Sequence, residues 1–526
     1  TDRGTITNKL SNEGTITTLQ NNGTFQDGIT NKGNATITTL TNDGTITNGI
    51  TNEANGNIGT ITNNQNIDKI DNSGDITKVE NNATITTLTN NQNATIETID
   101  NNQEVTNAFT NNGTITNLNN NNGGTLNDVT NSSTGTITTL TNRGMLNGTL
   151  TNENGGTIQT IENHDNIQRI DNQQGGTIDT LNNEINASIT TFDNSGSVTN
   201  DFTNKGEITT LHNHSTGTMN NLTNATNATI TTLANDGQLT GGITNETNAQ
   251  IDDIINTATL GTITNNGTIT NNISNRTNAT ITTIANNQGA TIGGVINEAN
   301  ATITTFENSG LVQNDFTNQG TITTLNNNET GRLHNLTNAG NATIDTLTNK
   351  GTLDGGITNQ ANGNINTIDN QANLAKIDNS GTIGSLGNKN NAKIDRIDNQ
   401  AGATITDVSN EAGAEITTFE NSGSVTNNFT NNGEIGSLTN LAQGTLNNLT
   451  NSGTGHIGTL TNEGQLNGGI TNQAQTQGST DGGKIDKIIN KNTLSKIDNS
   501  GTITEIDNET NATITNLTNQ SGGVID

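Results

Sequence analysis

The chain has 526 residues, of which 26% are hydrophobic and 2% aromatic, with no Trp, Tyr, Pro or Cys. That inventory cannot fill the centre of a conventional globule of this size, and the absence of cysteine removes disulfides and thiolate metal sites. The formal charge of −30 comes from only 13% charged residues, a thin excess of acid over a long surface that repels phosphate backbones and excludes nucleic acid as a partner.

Low hydrophobicity by itself would suggest disorder. Here the apolar residues keep phase, because a unit close to Asn-x-Gly-Thr-Ile-x-x-Leu-Thr recurs about every ten residues along the whole chain. Such periodicity denotes one small element stacked many times. An early copy is Asn12-Glu13-Gly14 followed by Thr15-Ile16-Thr17-Thr18-Leu19. Its β-branched residues suit a pleated, half-buried surface, and its Asn and Gly supply turn backbone. Asn, Gly and Thr are poor helix formers, and no apolar stripe persists at helical spacing. The expected fold is therefore all-β, a parallel β-helix (β-solenoid) forming one continuous repeat domain over residues 1–526, since no shift in composition marks a boundary.

Further along, Leu88 and Asn90, like Leu211 and Asn213, are two residues apart and share one face of an extended segment. If the Leu points inward, the Asn does too, and stacked inward amides can hydrogen-bond as a ladder. The Ile lies three residues before the Leu, which breaks strict alternation and predicts a bend or bulge between them. A longer repeat, Asn-x-Phe-Thr-Asn, places Phe109, Phe202, Phe316 and Phe429 at intervals of 93, 114 and 113 residues. The shorter interval lacks about two units, which points to two units per coil and about 26 coils, since losing a whole coil keeps every register intact. The longer block holds about eleven units, an odd number, and so would carry each Phe to the opposite face.

Candidate sites are sparse. The tracts Asp68-Lys69-Ile70-Asp71 and Asp395-Arg396-Ile397-Asp398 could present carboxylates to calcium, but they lack the Gly-Gly-x-Gly-x-Asp pattern of calcium-binding β-rolls. Their central Lys69 and Arg396 favour cross-strand charge pairing. His212 and His214 in Leu-His-Asn-His could project to one side and share a metal, but the spacing supplies no third ligand. His164, His334 and His456 are isolated. No nucleophile with a base can be assembled, so neither enzyme activity nor a cofactor is expected. Outward Thr-x-Thr pairs, Thr15 and Thr17, Thr321 and Thr323, Thr502 and Thr504, form a possible contact face that resembles the ice-binding face of β-solenoid antifreeze proteins. The plainer explanation is that Thr is the best soluble strand residue. Asn-x-Thr sequons such as Asn34-Ala35-Thr36, Asn82-Ala83-Thr84 and Asn227-Ala228-Thr229 arise readily in a composition dominated by Asn and Thr.

The largest irregularity, Gln473 to Lys484, reads as an inserted loop over residues 473–484. No run of eighteen apolar residues suggests a membrane-spanning helix, and no leader is visible at the start. Both ends stop in mid-unit without an evident cap, which predicts a segment of a longer chain or copies that stack head to tail.

The tandem Asn-x-Gly-Thr-Ile units, such as Asn318-Gln319-Gly320-Thr321-Ile322 and Asn499-Ser500-Gly501-Thr502-Ile503, resemble the passenger regions of Gram-negative autotransporters and filamentous-haemagglutinin-type adhesins. That resemblance implies a parallel β-helix at the cell surface or outside the cell, acting as a stalk, adhesin or self-associating fibre. Its partners would be copies of itself or cell-surface and host components.

Overall fold

The computed structural model describes residues 4–474 and 482–526, and these contain strands and turns but no helix. The chain forms two compact units, Thr1–Ile263 and Thr264–Asp526. Within each, strands alternate between two parallel sheets. In the first unit Thr84–Asn90 pairs with Glu104–Asn111, whereas Thr95–Asn101, between them in sequence, pairs with Thr114–Asn120 in the other sheet. In the second, Thr302–Asn308 pairs with Thr321–Asn327, while Leu311–Asn318 pairs with Arg332–Asn338. The chain is thus a parallel β-solenoid with two strands per coil and coils about 21 residues apart. It makes about 24 turns rather than about 26, because four-residue turns lengthen many coils.

The strand Thr84–Asn90 shows how the repeat encodes this path. Ile85, Leu88 and Asn90 point inward and are buried, and the remaining residues lie at the surface. The ladder to the preceding coil pairs Ile67 with Ile85 and Lys69 with Thr87 but skips Asp68 and Thr86. Two successive residues therefore face outward, and the backbone turns a corner between Ile and Leu, where the broken alternation predicted it. Strands such as Glu104–Asn111 carry one more residue at that corner, and the register shifts there as a β-bulge.

The four Phe motifs sit at such bulges. Phe109 and Phe202 lie in opposite sheets of the first unit, and Phe316 and Phe429 in opposite sheets of the second. The odd number of units between motifs therefore costs nothing, because both sheets face one shared interior. Three of these rings meet a second Phe from the preceding half-coil edge to face: Phe192–Phe202 at 5.1 Å, Phe306–Phe316 at 4.7 Å and Phe419–Phe429 at 4.8 Å between centroids. Edge-to-face contact matches the quadrupoles of the two rings and fills the interior across its width.

The strand-terminal Asn residues form two columns in each unit. From Asn31 to Asn499 each is at most 1% exposed. In the first unit one column runs Asn72→Asn90→Asn111→Asn131, each Nδ2 donating to the next Oδ1 at 2.8–2.9 Å. The other runs Asn81→Asn101→Asn120→Asn142 at 2.8 Å. The second unit repeats the pattern, for example Asn308→Asn327→Asn349→Asn370 at 2.8–2.9 Å. Each amide also ties down backbone: Asn90 Nδ2 donates to Ala94 O in its own turn and Thr114 O of the coil above. Among the described residues, buried side-chain atoms without a partner occur at Thr30, Asp369 and Ser495, and none belongs to an Asn. A polar residue that would be costly to bury alone is thus satisfied by its own copies.

The four-residue turns explain the sequons at Asn34 and Asn227, though not the one at Asn82, which lies in a two-residue turn. In four-residue turns the third residue takes a left-handed conformation, as at Asn34 (φ 65°) and Asn227 (φ 66°). Asn tolerates this better than other side chains. The next residue, Ala35 or Ala228, is buried, and the Thr after it opens the strand. In these turns Asn-Ala-Thr is therefore written by backbone geometry. Of the 473–484 insertion, residues 475–481 lie outside the described residues; its base is closed by Gly483 N donating to Gln473 O at 2.8 Å.

Candidate functional site

With the interior given to stacking, chemistry is left to the outward columns. Thr17, Thr323 and Thr504 are exposed, as is Thr15, while Thr321 and Thr502 are half-buried. Their neighbours differ. Thr321 is flanked by Thr302 and Thr343, and three successive coils present Thr280-x-Thr282, Thr302-x-Thr304 and Thr321-x-Thr323 before Asp345 and Asn366 break the pattern. Thr15 is followed by Thr36 and then by Asn57. Thr502 lies between Lys484 and Val524 and belongs to the opposite sheet of its unit from Thr321. The Thr pairs named from sequence therefore do not share one face. A longer row, unmarked by the Thr-x-Thr pattern, is formed by the residue after the corner: Thr283, Thr305, Thr324, Thr346 and Thr367 stack in register.

The acidic tracts hold ion pairs. Lys69 Nζ lies 3.1 Å from Asp71, and Arg396 Nη2 lies 2.7 Å from Glu420 of the next coil and 3.5 Å from Asp398. Arg396 thus makes the cross-strand pair its position favours, whereas Lys69 pairs within its own strand.

The histidine pair acquires the carboxylates that local spacing did not supply. Asn213 is inward, so His212 and His214 project outward on either side of it, with ring centroids 3.7 Å apart. His214 Nε2 lies 3.0 Å from Asp193 Oδ1 on the preceding coil, and Arg169 Nη2 lies 2.9 Å from Asp193 Oδ2. His212 Nε2 lies 2.7 Å from Asp236 Oδ2 on the following coil, whose Oδ1 accepts from Thr257 Oγ1 at 2.6 Å. Burial pushes the Asp236 carboxyl up, but the hydrogen bonds from Thr257 and His212 outweigh it and hold the group below its ordinary value. Asp193, His212 and His214 each offer one ligand atom, all within 4.8 Å of one another. Strand reasoning missed Asp193 and Asp236, which lie 19 and 24 residues from His212. The coil period of about 21 residues was the signal that could have found them.

No helix among the described residues is long and apolar enough to cross a membrane. No protein-family model matches the chain, and no curated protein is significantly similar to it in sequence.

Proposed function

We propose that the chain is a structural, non-enzymatic protein of the cell surface or extracellular space, serving as a stalk or a self-associating filament segment with adhesive outward columns. The observation that carries this reading is the commitment of every inward position to the stack: two Asn columns and the aliphatic residues beside them recur coil after coil in each unit. Repeat arrays of this kind stack each coil on its neighbours, and their continuous backbone ladders carry load along the stack. The likeness of the Asn-x-Gly-Thr-Ile units to autotransporter passengers and filamentous adhesins supports the same reading. Partners would be copies of itself or cell-surface and host components, met through many weak contacts by Thr, Asn and paired charges.

Sedimentation velocity and negative-stain images over a hundredfold concentration range, with attachment of the fluorescent protein to cell surfaces, test it. Growth in length at constant width, or saturable attachment, is the expected result. A species that remains monomeric throughout and attaches to no surface would overturn it. The three adjoining Thr-x-Thr rungs at Thr280 to Thr323 favour ice binding as the second reading, and thermal hysteresis that is lost in Thr304→Lys would establish that one instead.

A further inference from the structure

We infer that Asp193, His212 and His214 form a binding site for a borderline divalent cation of the Zn²⁺ class, which links two successive coils at the surface of the first unit. The ligand set is two imidazoles and one carboxylate, the mixed N/O chemistry that such ions take with solvent in a remaining position. Geometry supports it from three directions. The two rings come from one strand end, one on each side of the inward Asn213, whose Nδ2 donates to Asn235 Oδ1 at 2.8 Å, and their centroids lie 3.7 Å apart. Asp193 belongs to the coil before, in register with His212, so the sheet ladder fixes its distance to the pair. The ligand atoms lie within 4.8 Å of one another, while ligands about 2.0 Å from a tetrahedral ion sit roughly 3.3 Å apart. Asp193 is buried and held by Arg169, so the half-exposed His212 and His214 rings are the ligands that would rotate to close that difference.

The surrounding groups fit the role. Arg169 engages Asp193 Oδ2 and leaves Oδ1, the oxygen beside His214. Asp236 holds the His212 ring at 2.7 Å, the outer carboxylate that orients a ligating imidazole and raises its basicity.

The test is calorimetric titration of the whole chain with ZnCl₂ alone near pH 7.5, beside the double variant His212→Asn, His214→Asn. One saturable site per chain is expected in the wild type, at least tenfold weaker or missing in the double variant. Both side chains are outward and 28% and 37% exposed, so that variant should keep its strand spectrum and its metal-free melting point. Asp193→Asn, which keeps both rings, should also weaken binding at least tenfold. With Cu²⁺ as the probe, the electron paramagnetic resonance spectrum should show coupling to two imidazole nitrogens. Identical isotherms for wild type and double variant would mean diffuse binding to the acidic surface and overturn the site, as would the absence of saturable binding.

Discussion

Replacing Asn131 by Ala removes one rung from the middle of an amide column. Its Nδ2 donates to Asn152 Oδ1 at 2.8 Å, Gly135 O at 3.1 Å and Thr157 O at 3.1 Å, and its Oδ1 accepts from Asn111 Nδ2 at 2.8 Å. All of this takes place at 0% exposure. Asn111 keeps Thr136 O as an acceptor, and Gly135 O still accepts from the Thr157 N–H at 3.0 Å, so the principal orphans are Asn152 Oδ1 and Thr157 O. At about 1–3 kcal/mol for a buried group left without a partner, softened by shared bonds, the loss should be about 3–5 kcal/mol. The neighbouring outward Thr130→Ala should change stability by less than about 0.5 kcal/mol. Long repeat arrays need not unfold in one step, so hydrogen exchange resolved by peptide is the proper assay. Protection should fall over the coils from Asn111 to Asn152 and stay unchanged in distant coils. Asn131→Asp should be worse than Ala at neutral pH, because its second oxygen faces three acceptors. Burial of that second oxygen among acceptors raises the carboxyl above its unfolded value, so the penalty is full at neutral pH and shrinks as pH falls and the protonated acid regains a donor. An Asn131→Ala protein within about 0.5 kcal/mol of wild type, with unaltered exchange, would refute the claim that the amide column holds the stack together.

The aromatic pair Phe306–Phe316 should lose about 3–5 kcal/mol on Phe316→Ala, and a double-mutant cycle with Phe306→Ala should give about 0.5–1.5 kcal/mol of coupling; hydrogen exchange of the coils around the pair in the four proteins measures both. Gly356, at φ +89°, would bring a Cβ within 2.5 Å of Lys376 O, so Gly356→Ala should cost about 1–3 kcal/mol, read as a lower denaturation midpoint. Excision of residues 132–152 removes one coil and joins Asn131 to Glu153, and circular dichroism should show the same strand spectrum; its loss would mean that the coil is not the unit of folding. In acid, Arg276 at 2.6 Å and the Thr277 N–H and hydroxyl hold the Glu298 carboxyl below its ordinary 4.5. Its contribution is full above that value and is lost as pH falls through the depressed one. Thermal melts should therefore stay level from about pH 8 to 5 and decline below about 4.5, since the interior columns are neutral amides.

What the sequence determined by itself is everything that repeats. The phase of Ile85, Leu88 and Asn90 within one unit named the inward face, the corner and the amide ladder, because side-chain alternation acts over a few residues and each unit meets a near copy of itself. The cross-strand charge pairing expected at Arg396 was legible, since Glu420 lies one coil away, whereas Lys69 pairs with Asp71 in its own strand. Tertiary structure decided what depends on the length of a coil. Turns of two to four residues set which outward side chains stack, so Thr321 found Thr302 and Thr343 while Thr502 fell between Lys484 and Val524. The same winding carried Asp193 and Asp236 to either side of His212 and His214. Neighbours about twenty residues apart come together only once the windings are in register, and local sequence spacing does not fix that register.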